Sequence, residues 1–367
     1  MRGRDQGGVA VDEPKAGEPS DLKNLGCSGL ADMVARFALQ PFRAAQIGRW
    51  VYREDASTVA EMSNLPASLR SRIAASWFIG RGTIAAATSS ADGSCKLLIR
   101  FASGAAVEAV HLPAAGRTTV CLSSQTGCPM ACAFCATGRL GPGRTLTIGE
   151  LIEQFMAVVR PAPAGAGRTR PTHIVFMGMG EPLLEPRPVI ETIRVLTWEH
   201  GFGYAARRIT VSTCGIPAGI RALAEAGLRV RLAFSLNAPW EGLRTSLMPN
   251  APPLADVIPA LRHYAEATRT IVTLEYVLLG GVNDTAACAR ALSALASRLP
   301  SKINLIVYNE TEGTMFRAPS GDRIRTFLSI LLPASPTVTM RQSLGGDIAA
   351  ACGQLAGGPE ARVVAGP

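Results

Sequence analysis

Lysine is almost missing from this 367-residue chain: arginine supplies 33 of its 37 basic side chains and lysine only 4. Aromatic residues make up 5%, so any core must be built chiefly from aliphatic side chains. No stretch of about 18 apolar residues occurs, which excludes an ordinary membrane-spanning helix. The N-terminus, Met1-Arg-Gly-Arg-Asp-Gln, lacks the apolar centre of a secretion signal. From these two absences we expect no membrane partner and a cytoplasmic location. Histidine is limited to His111, His173, His200 and His263, with no metal-ligand spacing among them, so a histidine metal centre is not expected. Large apolar residues are nearly absent from residues 1–20, which are expected to form a disordered tail.

What remains is long enough for an α/β barrel carrying a smaller appendage. The net charge of +9 favours a polyanionic partner such as nucleic acid. Arginine suits phosphate and base stacking better than lysine does, although abundant Arg, Ala, Gly and Pro together also fit a GC-rich genome. Nine cysteines, an odd number, suit a reducing compartment and ligand or catalytic roles better than a disulfide framework. Cys27, Cys95, Cys214 and Cys288 have no motif around them and read as buried free thiols.

Along the chain, Leu30, Met33, Val34, Phe37 and Ala38 recur at helical spacing, and Arg43 to Tyr52 gives a second such stretch. Residues 21–90 therefore read as a small helical unit. Alternating runs at Leu97–Phe101 and Ala106–Leu112 read as a short β extension over 91–117. Strand-like runs then follow at Thr118–Leu122, His173–Met177, Arg208–Thr213, Leu228–Phe234, Ile271–Val277 and Ile303–Tyr308. Between and after them come helical segments at Ile148–Val159, Val189–Glu199, Ala218–Ala226, Leu254–Thr268, Thr285–Leu299 and Arg323–Leu332. Six strand–helix units predict a partial (βα)6 TIM-like barrel over 118–357, with a tail at 358–367. In such barrels the loops after the strands' C-terminal ends hold the active site. The cysteine loop, Gly178–Pro182, Ser212, Ser235–Asn237 and Asn309, discussed below, all fall at that end of a predicted strand.

The first of those loops carries Cys128-Pro-Met-Ala-Cys132-Ala-Phe-Cys135. Thiolates so spaced can converge on an iron–sulfur cluster or on zinc. A closed structural zinc site needs a fourth ligand, whereas three cysteines leave a cluster iron open to a small molecule.

This spacing resembles the cluster motif of radical S-adenosylmethionine (SAM) enzymes. The flanking strings Cys121-Leu-Ser-Ser-Gln-Thr-Gly-Cys128 and Asp347-Ile-Ala-Ala-Ala-Cys352-Gly-Gln-Leu-Ala resemble one branch of them, the RlmN/Cfr family of RNA adenine methyltransferases. The resemblance runs from about Pro41 to Gly357. It implies a radical-SAM barrel, a helical accessory domain that helps to hold RNA, a [4Fe–4S] cluster on Cys128, Cys132 and Cys135, and two SAM molecules per turnover. Gly178-Met-Gly180-Glu181-Pro182 looks like the stretch that binds the SAM amino group. Ser212, Ser235, Leu236, Asn237 and Asn309 match positions contacting the rest of SAM.

Adenine C2 and C8 are electron-poor carbons with no nucleophilicity, so a direct displacement on a SAM methyl fails there, while a carbon radical can add. The resemblance implies that the Cys352 thiolate first accepts a methyl group, which then loses a hydrogen atom to a radical derived from a second SAM. The methylene adds to the ring and tethers the RNA to Cys352. Glu108 is the implied proton acceptor, and Cys121 the cysteine that releases the product by forming a disulfide with Cys352. An electron donor of flavodoxin or ferredoxin type, an RNA substrate (ribosomal, possibly transfer RNA) and a monomeric enzyme complete the expectation. The family usually has His where Asn237 stands, Pro where Val307 and Glu310 stand, and Asn where Thr145 stands. Methylation at C2 is expected first, with C8 as the alternative. A metal-stabilised RNA-binding protein without catalysis is the non-enzymatic alternative. Arg139, Arg144, Arg207 and Arg208 are candidates for phosphates beside the barrel mouth or for plain solvated charge.

Overall fold

The computed structural model describes residues 19–160, 170–334, 337–341 and 343–356. Apart from Pro19 and Ser20, the two expected tails lie outside the described residues. The chain opens with β1 (Ser20–Asp21), α1 (Gly26–Arg36), α2 (Phe42–Gly48), which continues into a π-helical turn at Arg49–Arg53, α3 (Ala67–Ala74) and β2 (Trp77–Phe78). Leu30, Met33 and Val34 of α1 are buried, as the helical period predicts.

The main sheet follows: β3 (Thr83–Ser89), β4 (Cys95–Arg100), β5 (Ala106–Ala114) and β6 (Arg117–Leu122), then α4 (Ala136–Arg139), α5 (Ile148–Val159), β7 (His173–Phe176), α6 (Pro186–Thr197), β8 (Ile209–Thr213), α7 (Pro217–Glu225), β9 (Arg231–Ser235), α8 (Glu241–Leu247), α9 (Leu254–Thr268), β10 (Val272–Leu278), α10 (Ala286–Ala296), β11 (Ser301–Val307), α11 (Gly321–Ala334) and β12 (Val338–Arg341). Its ten strands run in the order β12-β11-β10-β9-β8-β7-β6-β5-β4-β3. The strands from β6 to β12 are parallel, and β3, β4, β5 and β6 pair antiparallel. The six expected strand–helix units are present. A seventh parallel strand, β12, was not expected, and the β extension begins at Thr83, inside the span assigned to the helical unit.

Helix α5 joins the two parts of the molecule. Thr147 and Glu150 form a capping box at its start. Nearly every residue of α5 is buried, because the sheet covers one side and the N-terminal unit the other. Across that second contact lies a buried charge network. Lys23 Nζ pairs with Glu153 and donates to Gly80 O at 2.6 Å, while Arg160 bridges Glu153 and Asp55. Tyr52 adds ring contacts to Trp198 and Phe202 at 6.4 and 6.1 Å between centroids.

Among the described residues the sheet does not close on itself through strand pairing. Residues 343–356 cross the gap as a strap from β12 towards β4 and β5. Gly345 N–H donates to Asp92 Oδ2 (2.7 Å), Ser90 Oγ to Asp347 Oδ1 (2.6 Å), Lys96 Nζ to Ala349 O (3.1 Å), and Ala356 N–H to Glu108 Oε2 (2.8 Å). On the loop side, Ala136 N–H donates to Gly353 O (2.7 Å) and Thr137 Oγ1 to Leu355 O (2.6 Å). Cys352 rides on this strap in a turn.

Candidate active site

At the C-terminal ends of the parallel strands lies a cavity of about 960 Å³ of empty space, its open mouth included. Cys128, Cys132 and Cys135, from the loop after β6, line it together with Gly178, Gly180, Glu181, Ser212, Ser235, Asn237 and Cys352. A smaller cavity next to it is lined by Cys121, Arg341, Ala351 and again Cys352. Cys352 therefore stands at the boundary between the two. The chain brings together the three cluster cysteines, most of the expected SAM contacts and both expected catalytic cysteines.

The cysteine loop is zipped to the loop after β7. Ser124 N–H donates to Met179 O (2.7 Å) and Glu181 N–H to Gln125 Oε1 (2.8 Å). Gly178 and Gly180 allow that approach: a Cβ at Gly178 would meet Ser123 Oγ at 2.5 Å, and one at Gly180 would meet Gln125 at 2.6 Å. Gly180 also has φ +96°, a conformation that side chains rarely adopt. Gly180→Ala is expected to weaken SAM binding roughly ten- to hundredfold through strain alone. The check is the SAM concentration that half-saturates the spectral change of the anaerobic iron–sulfur protein.

Glu181 is buried, and burial raises its pKa, opposed by the Cys214 amide. Its two oxygens accept from Leu183 N–H at 3.0 Å and Cys214 N–H at 2.8 Å. Carboxylate oxygens carry further lone pairs, so the group can still accept from an ammonium. Ser212 and Ser235 approach one another at 3.3 Å between hydroxyls on the cavity wall. Asn237 has φ 53°, where Asn is tolerated better than most residues. Its Oδ1 accepts from Val277 N–H at 3.0 Å, tying the end of β9 to β10.

Two of the expected SAM contacts do not line the cavity. Leu236 packs in the core, its carbonyl taken by Arg244 at 2.8 Å. Asn309 lies just after β11 with its amide nitrogen buried and unpartnered among the described residues, a donor available to a ligand.

Glu108 lines neither cavity. Because Val110 pairs with Cys121, Glu108 shares the face of β5 that looks towards Cys121. Both of its oxygens are engaged, one by Lys96 Nζ at 3.0 Å and one by Ala356 N–H. Arg207 and Arg208 precede β8, at the end opposite the cavity, and Arg144 is paired with Glu150. None of these three arginines flanks the barrel mouth as a free phosphate ligand.

Burial dominates the thiols. It pushes Cys128 up to about 12 and raises Cys132 and Cys135, with mutual repulsion among the three adding to the effect in Cys132. Free, these groups are protonated; metal binding would displace the protons. Burial likewise pushes Cys121 to about 12, with the neighbouring Cys352 adding to it. In Cys352 burial acts first, Arg341 opposes it and Glu275 reinforces it.

Some site residues were not anticipated. Arg244, 1% exposed, donates to the carbonyls of Ser235, Leu236 and Cys214 and so staples the ends of β8 and β9 beneath the cavity. Cys214 and Glu275 line the cavity itself. A lone carboxylate inside the mainly apolar run Ile271–Val277 was the one signal for Glu275; a single Arg or Cys gives none.

Residues 122–288 match the model of the Radical SAM superfamily, and residues 20–79 match that of the ribosomal RNA large subunit methyltransferase N-terminal domain. A dual-specificity RNA methyltransferase RlmN from Nitratidesulfovibrio vulgaris is 44% identical over 92% of this chain and 94% of its own length. The chain belongs to the RlmN family of radical-SAM RNA methyltransferases. A probable RlmN from Thermus thermophilus is 41% identical over 86% of this chain and 89% of its own. The crystal structure of a radical SAM methyltransferase from Sphaerobacter thermophilus superposes with a TM-score of 0.84 at 41% identity, covering 92% of this chain and all of that one. Family membership brings a [4Fe–4S] cluster and SAM, and it removes the non-enzymatic alternative. The cavity fits both: three cysteines at one end, a glycine cradle and a buried carboxylate beside them. Among the described residues no helix is long and apolar enough to cross a membrane.

Proposed function

We propose that this enzyme methylates C2 of an adenosine in 23S ribosomal RNA, and of one in transfer RNA, using Cys352 as the methyl carrier. The observation that carries the reading is the position of Cys352, which lines the cofactor cavity on one side and shares a smaller cavity with Cys121 on the other. The relatives' printed name, a dual-specificity RNA methyltransferase, supports two RNA classes.

When bound at Cys128, Cys132 and Cys135, the cluster together with SAM supplies one-electron chemistry able to take a hydrogen atom from an unactivated methyl group. Gly180, Glu181, Ser212 and Ser235 hold that SAM, with the Asn309 amide as a further donor. Cys352, as a thiolate, takes a methyl group from the first of two SAM molecules by displacement. Once that methyl has lost a hydrogen atom, its carbon bonds the adenine ring and the RNA is tethered to Cys352. The tethered ring, now carrying an unpaired electron, returns one electron to the cluster and gives its proton to Glu108, at the expense of that residue's bond to Ala356 or Lys96. The Cys121 thiolate then attacks the Cys352 sulfur and breaks its bond to the former methyl carbon, which takes up a proton; the methylated base leaves and a Cys121–Cys352 disulfide remains, to be reduced by two electrons. A flavodoxin- or ferredoxin-type donor supplies the electrons. Every group in the scheme comes from one chain, which suits a monomer acting in the cytoplasm, and the helical N-terminal unit holds RNA.

Anaerobic incubation of the reconstituted enzyme with reductant, SAM and unmodified ribosomal and transfer RNA should yield 2-methyladenosine on nucleoside mass spectrometry. A product of 8-methyladenosine instead would replace C2 by C8 and leave the cysteine chemistry intact.

A further inference from the structure

Glu275 is a carboxylate inside the barrel for which the scheme above has no use. It stands mid-strand in β10, 8% exposed, and lines the cofactor cavity with Ser235 and Cys352. Strand register sets Ser235, Glu275 and Asn304 side by side on β9, β10 and β11. Glu275 Oε2 accepts from Asn304 Nδ2 at 2.6 Å, and Asn304 Oδ1 accepts from Thr339 Oγ1 at 2.9 Å. That chain fixes the plane of the carboxylate. The other oxygen, Oε1, has no partner among the described residues. Burial raises the Glu275 pKa, and the bond from Asn304 and the charges of Arg341 and Lys302 oppose that and favour the ionised form; Cys352 is a further electrostatic neighbour.

A ring carbon that bonds to the carbon carried on Cys352 must lie against that sulfur, so the target base has to enter the cavity beside Glu275. Met177, Val277 and Ile306 give this part of the wall an apolar surface suited to the face of a base. An ionised carboxylate accepts hydrogen bonds and cannot donate. Adenine's ring nitrogens also only accept, and its exocyclic amino group is the donor on its edge. A purine with a carbonyl at that position would set oxygen against oxygen.

We propose that Glu275 is a specificity residue for the target base, its free oxygen accepting a hydrogen bond from the exocyclic amino group of adenine. This rests on the reading of Cys352 as methyl carrier. The test compares two versions of the RNA that the wild type methylates, one with adenine and one with unsubstituted purine at the target. Wild type and Glu275→Ala are assayed on both. Wild-type turnover of the adenine RNA reports on the underlying reading, and the ratio between the two RNAs reports on Glu275. The wild type is expected to prefer adenine roughly ten- to hundredfold in kcat/KM, the scale of one hydrogen bond to a charged group. In Glu275→Ala that preference should collapse towards unity, with SAM affinity, read from the spectral change without RNA, unchanged. Glu275→Gln, whose amide oxygen can still accept, should keep part of the preference. An undiminished preference in Glu275→Ala overturns the proposal. So does a loss of SAM affinity with the base preference kept, which would assign the carboxylate to SAM.

Discussion

Cys352→Ala yields no methylated nucleoside, and Cys121→Ala accumulates RNA covalently attached to Cys352. The first expectation follows from position: among the described residues Cys352 alone among the cysteines lines both cavities, whereas Cys121 lines only the smaller and Cys214 only the cofactor cavity. Loss of a covalent nucleophile is expected to reduce turnover on the order of 10⁴-fold or more. The second follows from the order of events, since Cys121 acts only after the carbon–carbon bond exists. A denaturing gel of the anaerobic Cys121→Ala reaction should show a slower, RNase-sensitive band. Free RNA alone, with turnover intact, would remove Cys121 from the scheme. Both thiols are pushed up by burial, Cys121 to about 12. Each must ionise to react, so the resolution step is expected to accelerate as pH rises towards that value.

A large effect on stability is expected from Glu153→Ala, far from the chemistry. The side chains of Lys23 and Glu153 are 0% and 2% exposed, and Arg160 shares the same carboxylate. Removing the carboxylate leaves a buried ammonium without its counter-charge, at a cost of about 3–5 kcal/mol. The lost stability is located at the junction between the N-terminal unit and α5, so thermal unfolding should shift to lower temperature and protease cleavage near residues 80–82 should speed up. A melting curve that overlays the wild type would show that water reaches the pair readily. Replacing both partners by apolar residues of similar volume should recover much of the loss, because desolvation of the ions costs nearly as much as their attraction returns.

The regular alternation from Thr118 onward was legible because each strand is a short apolar run and each helix carries a periodic face. Strand β12 escaped because it has four residues, two of them exposed. Strand β3 escaped for a different reason. Thr83–Ser89 is made of small residues apart from Ile84, all exposed, and shows no alternation to read. The site was legible where a motif carries the chemistry, as in the cysteine loop and Gly178–Glu181. It was illegible where position alone confers a role: Leu236 sits beside two cavity residues yet faces the core, while Glu275, Cys214 and Arg244 reach the site only because β8, β9 and β10 lie side by side. Arg207 and Arg208 could be read as phosphate ligands at the mouth or as solvated charge, and the direction of β8, which sends them to the other end, decides against the first.

The strap that bridges β12 to β4 and β5 ties the order of synthesis to competence. A ribosome completes the cysteine loop and the glycine cradle long before it reaches Gly345. Until residues 345–356 emerge, the nascent chain has the residues that line the rest of the cavity but an unsealed flank and no Cys352. A chain that stops before Gly345 therefore lacks both Cys352 and the bonds by which the strap holds the segment after Cys135, Ala136 N–H to Gly353 O and Thr137 Oγ1 to Leu355 O.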